Sequence, residues 1–475
     1  MTRLQGIPWV EGVAVEEKAA QVIKRRAHSK RLNLYRVPWL RPLIESHWPQ
    51  LLMRIFTLSG LVFTIAVGLF GSRVGSHNFA IIFVWIAWWT ALKLAFIPFG
   101  GRSWCSICPI PLPGEWLQQG GILQAGRRSL GLNLRWPKRL RGSWLQSGGF
   151  LLIGLISAVT LTAPQVTSWV LIGLFVLAIG LSLVFEHRAF CSYLCPIGGF
   201  SGMYAQASPV EVHIIEREIC AQHKVKSCYQ ACPWGLYPVA FQDSSACGLC
   251  MECLRACPQD NLALNLRPFG SDLGKNRNTT RLDEALLALV MLGSVMVFSA
   301  VFLGPWGWLK TAAFEIGSLR WAGYASGFLL LNLIILPGIF TLAVWGGHKF
   351  TSNGYKLKQA IASQAQALYP LGLMAWIAFT VSFALSKLNF VLGVLNDPFG
   401  WGWHWLGSID TSQTTSIAGI SSFIQIMLLV VGLFWSVSVS QKLSAAKGKA
   451  ESRTNAPLLV FNLLFTLVML WLLVG

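Results

Sequence analysis

Charge is scarce in this chain. Only 12% of its 475 residues are Asp, Glu, Lys or Arg, and acidic side chains number 19 against 38 basic ones. Soluble domains carry about a quarter charged residues, so a string of soluble domains is excluded. Hydrophobic residues make up 54%, 22 of them Trp, as a polytopic membrane protein requires. The net charge of +19 does not indicate a nucleic-acid partner, because Lys and Arg collect in alternate loops, as the positive-inside rule predicts. Residues 1–36 lack the apolar stretch of a cleavable leader, and Arg25-Arg26 lacks the hydrophobic run of a twin-arginine signal. No intramembrane His pair faces another, which argues against haem, and no signalling domain is recognisable, which argues against a sensor.

Long apolar runs are present, each near the roughly 20 residues needed to cross a bilayer. Nine spans are expected, over 51–71, 79–99, 146–163, 168–186, 285–304, 322–345, 365–386, 416–438 and 457–474. With the N-terminus inside, the loops 100–145, 187–284, 346–364 and 439–456 are each richer in Lys and Arg than the outer loops beside them. The expected location is therefore the cytoplasmic membrane, with residues 187–284 facing the cytoplasm and the C-terminus outside. The expected fold class is an all-α polytopic membrane protein carrying an inserted small α+β domain. Its divisions are a basic tail (1–49) lying on the anionic leaflet, a four-helix core (50–196), the inserted domain (197–284) and a five-helix C-terminal part (285–475).

Seven of the eleven cysteines lie within Cys220–Cys257. Cys247, Cys250, Cys253 and Cys257, followed by Pro258, have the spacing of bacterial iron–sulfur ligands. Cys220, Cys228 and Cys232, followed by Pro233, form an imperfect copy. In the two-cluster pattern the fourth Cys of each run serves the other cluster. One four-iron cluster then takes Cys232, Cys247, Cys250 and Cys253. The second takes Cys220, Cys228 and Cys257, with His223 at the vacant position as its expected fourth ligand. The cytoplasmic side suits such thiolates.

The other four cysteines sit in an internal repeat. Arg102-Ser-Trp-Cys105-Ser-Ile-Cys108-Pro109-Ile110 ends the second span, and Arg188-Ala-Phe-Cys191-Ser-Tyr-Leu-Cys195-Pro196-Ile197 ends the fourth. Two related hairpins thus deliver two Cys pairs to one membrane depth. Four thiols there are suited to a metal, to a further cluster or to a redox-active dithiol, and the sequence leaves these open.

Glu186 and His187, just before the second motif, are weak candidates for the proton acceptor of a quinol site. Arg54 and Lys93 lie near inner helix ends, where long basic side chains snorkel to water. The loop Asn396-Asp-Pro-Phe-Gly-Trp-Gly-Trp-His404-Trp reads as an outer interface anchor.

The two Cys-Pro motifs (SWCSICP, AFCSYLCP) followed by CGLCMECLRACP resemble the membrane polyferredoxins of the NapH/NosR type, over about residues 50–285. That resemblance implies an electron-transfer protein working between quinol or a cytoplasmic donor and a partner reductase of a respiratory chain. For an accessory branch it implies maturation of a respiratory metalloenzyme. Quinone, a partner redox protein and the lipid bilayer are the expected partners. Quinol-oxidising enzyme activity stays open. The chain departs from the pattern in the missing Cys of the first ferredoxin run and in its five extra C-terminal spans.

Overall fold

The computed structural model describes residues 31–122, 130–222, 225–275, 281–349, 356–403, 405, 407, 418–445 and 456–474. Eight of its helices are long and apolar enough to cross a membrane: α1 (Trp48–Phe70), α2 (Phe79–Gly100), α4 (Pro164–Val184), α5 (Leu282–Phe302), α6 (Leu319–Lys349), α7 (Leu357–Leu385), α8 (Ile420–Ala445) and α9 (Ala456–Val474). The span expected over 146–163 is broken. Helix α3 (Trp144–Leu155) stops at Ile156, whose φ of −103° and ψ of 6° leave the helical region, and one turn resumes at Ser157–Thr160. The Ser143 N–H donates to Asp283 in the first turn of α5 (2.7 Å), which fixes the start of α3 on the face of the inserted domain. Helix α4 then returns from the opposite face to deliver Arg188 beside Cys105. The structure is that of a helical membrane protein.

Helices α5 and α7 are the centre of the bundle, each 67% buried, whereas α4, α6 and α8 are 28% buried. Trp376 of α7 is fully buried. Its ring meets Phe200 (5.5 Å), Phe298 of α5 (5.7 Å) and Phe150 of α3 (6.1 Å) edge to face, so the N- and C-terminal halves share one core. Lys93 of α2 points into it. The expected snorkelling does not occur: Lys93 is 1% exposed, with Nζ 5.0–5.3 Å from the ring centroids of Trp89, Trp376 and Phe379. Two π-helical stretches in α2, Ile82–Trp88 and Leu92–Phe96, shift the helix face and turn this lysine inward. Arg54 is likewise buried.

The inserted domain is built on a three-stranded antiparallel sheet, β1 (Leu32–Asn33), β2 (Val210–Ile214) and β3 (Leu262–Leu266), in the order β1-β3-β2. Strand β1 and the following helical turns belong to the segment expected as a surface tail. They close one side of this domain instead: Tyr35 and Ile44 pack against Val212, Leu254, Leu262 and Leu264. Arg255 fastens them, donating from Nε to the Ile44 carbonyl (2.8 Å) and from Nη2 to the Ser46 carbonyl (3.2 Å).

Candidate redox centre at the membrane edge

The loop Cys247–Cys253 winds through alternating left-handed residues. Leu249 has φ +52° and Met251 φ +63°. Such alternation turns successive backbone N–H groups to one side and makes an anion-binding nest. The sulfurs of Cys247 and Cys250 accept from the N–H groups of Leu249 and Glu252, and that of Cys232 from Trp234, Gly235 and Leu236. Cys253 interacts electrostatically with Cys247, Cys250 and Cys232, which join it in one group, and least with Cys228 of the neighbouring group. Gly248 is forced by packing. A Cβ there would lie 2.1 Å from the Trp234 ring.

A second group joins Cys220, Cys228 and Cys257. Asn261 bridges two of them, its backbone N–H meeting the Cys257 sulfur (3.4 Å) and its Nδ2 the Cys220 sulfur (3.3 Å). His223, the expected fourth member, lies outside the described residues.

The two Cys-Pro motifs converge. Cys191 interacts electrostatically with Cys195, Cys108 and Cys105. The extra residue of the second motif is absorbed by a wider turn. In the first motif a helical turn covers Ser103–Ile107. In the second, Phe190–Leu194 forms a π-turn closed by the Cys195 N–H on the Phe190 carbonyl (2.8 Å). The motif arginines are exchanged between the repeats. Arg102 donates to the carbonyl of Cys191 (3.4 Å), and Arg188 donates to the carbonyl of Cys105. Each guanidinium thus holds the first cysteine of the other repeat. Glu115 pairs with Arg188 in the same buried layer, and Gln146 donates to the Cys191 and Ser192 carbonyls (3.3 and 3.2 Å).

The two sites touch. Cys105 packs in one buried group with Cys232, Trp234 and Cys250. The Arg188 guanidinium lies over the Trp234 ring at 4.5 Å, and its backbone N–H bonds the Pro233 carbonyl (2.8 Å). Arg102 reaches the Ser245 carbonyl (3.0 Å), two residues before Cys247.

Burial raises these thiols. Cys247 and Cys195 are pushed up to about 11 and Cys108 to about 12, with burial the largest cause and neighbouring thiols adding to it. In the bare protein they stay protonated, and a bound metal group would displace the protons. The residues suit an iron–sulfur cluster: thiols in fours, backbone N–H groups aimed at sulfur, and guanidinium atoms (Arg54 Nη2, Arg102 Nε) buried without a hydrogen-bond partner.

Comparison with known proteins points to iron–sulfur binding. The family model described as a 4Fe-4S binding domain matches residues 81–133 and 167–212, the stretches that carry the two Cys-Pro motifs. The chain is also 27% identical, over 162 residues, to the methylamine utilization ferredoxin-type protein MauN of Paracoccus denitrificans. The chain resembles the membrane polyferredoxins. An iron–sulfur electron-transfer role goes with that resemblance. The match takes in 30% of this chain and 52% of MauN, so the chain spans about half the length of that relative. No solved structure matches.

Of the weaker candidates in this polyferredoxin-like chain, His187 has a left-handed backbone (φ +60°). Its ring would collide with any Cβ at Gly235 and bonds the Cys232 backbone; burial lowers its pKa. It supports the cysteine loop. Glu186 is more exposed, 4.0 Å from Arg135. Sequence reasoning missed Glu115, Gln146 and Trp234, and it read the buried Arg54 as a snorkelling residue. The only signal was the arginine three residues before the first Cys of each repeat. In the loop beyond α7, Asp397 accepts from the N–H groups of Gly400 and Gly402. The carbonyls of Pro398 and Phe399 cap the chain at Phe79 and Ser72. Phe399 stacks on Trp401 and Trp403 on Trp405, with Trp401 and Trp403 meeting edge to face; His404 lies outside the described residues.

Proposed function

We propose that the chain passes electrons between the quinone pool or a cytoplasmic donor and a partner oxidoreductase of a respiratory chain. In this reading Cys220, Cys228 and Cys257 hold one four-iron cluster together with His223. Cys232, Cys247, Cys250 and Cys253 hold a second. Cys105, Cys108, Cys191 and Cys195 hold a third redox centre. A bound cluster supplies one-electron storage. The residues around it exclude water, supply N–H groups to sulfur and fix the separation between sites. The divisions at 50–196, 197–284 and 285–475 serve as thiol-bearing core, cytoplasmic iron–sulfur domain and C-terminal membrane part, and residues 32–46 close one side of the iron–sulfur domain. The N-terminus is inside and the C-terminus outside.

The observation that carries this reading is the shared packing of Cys105 with Cys232, Trp234 and Cys250. It supports direct electron exchange between the membrane-edge thiols and the inserted domain, without an intervening protein. Adding a quinol analogue to the purified, oxidised protein should bleach its visible absorbance, and Cys247→Ser should diminish that response. A loaded wild-type protein that no quinol reduces would remove the quinone link.

One observation favours a second reading. The first Cys of each motif, Cys105 and Cys191, is buried, whereas Cys108 and Cys195 keep a small exposed fraction, although burial still raises both thiols. That pattern suits a dithiol that reduces or hands on a metal to a respiratory enzyme being assembled. Deleting the gene would then leave the partner lacking its metal, not merely undriven.

A further inference from the structure

Three arginines are buried at the junction, and each touches the Cys-Pro loops while facing the inserted domain. Arg54 of α1 is 8% exposed, Arg102 5% and Arg188 2%. Arg54 donates from Nε to the Ser106 carbonyl, between Cys105 and Cys108 (3.1 Å), and interacts electrostatically with Cys250. Arg102 bonds the Cys191 carbonyl on one side and the Ser245 and Ala246 carbonyls on the other, facing both Cys195 and Cys247. Arg188 bonds the Cys105 carbonyl and lies over Trp234, facing both Cys191 and Cys250.

One buried carboxylate, Glu115, answers these three guanidiniums. Glu252, the other acid near Arg54, is paired with Arg255 at 2.8 Å. Two positive charges are left uncompensated, and Arg54 Nη2 and Arg102 Nε have no hydrogen-bond partner. A buried charge without a counter-charge is costly, so this layer is built for negative charge on both sides of it. Thiolate-bound iron–sulfur clusters are anionic, and each one-electron reduction adds a further negative charge. Two such centres in contact repel one another, which makes reduction of the second harder.

We infer that Arg54, Arg102 and Arg188 form a cationic seam shared by the two thiol sites, which compensates charge on both and allows both to be held reduced at once. The inference rests on the reading that each site holds a redox centre. The arginines are positioning residues: they act through the field they impose and through the carbonyls they hold.

The test is a dithionite titration of the purified full-length protein, followed by EPR, with iron and labile sulfide measured on every sample. Arg54→Gln and Arg102→Gln are expected to shift the midpoints of the junction centres to more negative potential and to widen the gap between them. Arg54→Lys and Arg102→Lys, which keep the charge, are expected to restore both. If the Gln variants lose iron while the Lys variants keep it, the same charge compensation is read out as cluster retention, which supports the seam. Fully loaded Gln variants with unchanged midpoints would overturn it. So would Lys variants that behave like Gln, because hydrogen-bond geometry and not charge would then be the cause. A Cys108→Ser/Cys195→Ser double variant separates the two claims. If its iron content and spectra equal wild type, the membrane-edge redox centre is wrong and the shared seam falls with it, whereas unchanged Gln midpoints in a protein that passes this control overturn the seam alone.

Discussion

The guanidinium of Arg188 lies 4.5 Å above the indole of Trp234. Arg188 opens the second Cys-Pro motif, and Trp234 follows Cys232-Pro233 in the inserted domain. This contact seats the cysteine loop on the membrane helices, because the same indole fills the space over Gly248 and packs beside Cys105 and Cys250.

Gly248→Ala is expected to destroy that seating, since its methyl would meet the Trp234 ring at 2.1 Å. The variant should retain less iron than wild type. Trp234→Phe removes the colliding ring, so Gly248→Ala/Trp234→Phe should recover iron relative to Gly248→Ala, a coupling of roughly 0.5–3 kcal/mol for residues in contact. Strictly additive losses would show that the ring does not dictate the glycine.

Asp272 anchors the base of the inserted domain. Its carboxylate receives Arg267 and Lys275 and the Ser244 N–H (2.9 Å). Burial pushes this carboxyl up, but Arg267 and Lys275 outweigh it and hold it well below the usual range. A depressed value in the folded state means that the contribution is complete above the unfolded value, about pH 4. It is lost as the pH falls below that. Asp272→Asn should cost about 3–5 kcal/mol, the loss expected on breaking a buried pair, measured by denaturant titration at pH 7. Below pH 4 the gap between variant and wild type should narrow.

Lys93→Met tests the buried amine. Lys93 Nζ has three ring faces and no hydrogen-bond partner, and a charged group inside the bilayer is costly. A methionine of similar length should leave the melting temperature in detergent unchanged or higher. A clear fall would mean that the cation–π contacts outweigh the burial cost.

Cys257→Ser and Cys232→Ser should have separate effects. The first removes a member of the Cys220 group and the second a member of the Cys247 group. EPR of the reduced variants should show different signals lost. Loss of the same signal from both would contradict the crossed assignment of the two Cys runs.

Much of this was legible in the sequence. Apolar length marked the membrane helices, and Cys spacing marked the groups, because both are local patterns. The break at Ile156 was not legible, since the run 146–163 is uncharged and hydropathy does not register a lost helical turn. The inward turn of Lys93 depends on π-turns and on rings from α7, nearly 300 residues away. Residues 32–46 looked like a free basic tail because their partners, β3 and Arg255, lie more than 200 residues on. The repeat was visible as similar letters, but the exchange of Arg102 and Arg188 between its halves exists only in three dimensions.

The central claim is that the Cys-Pro thiols hold a redox centre in contact with the one held by Cys232, Cys247, Cys250 and Cys253. The most direct test is the EPR spectrum of the fully reduced protein, compared with that of the Cys108→Ser/Cys195→Ser variant at equal protein concentration. The account predicts a spectrum broadened by a neighbouring spin in the wild type. In the variant it should sharpen and lose intensity, with iron falling in step. Identical line shapes, spin counts and iron contents in the two proteins would contradict it.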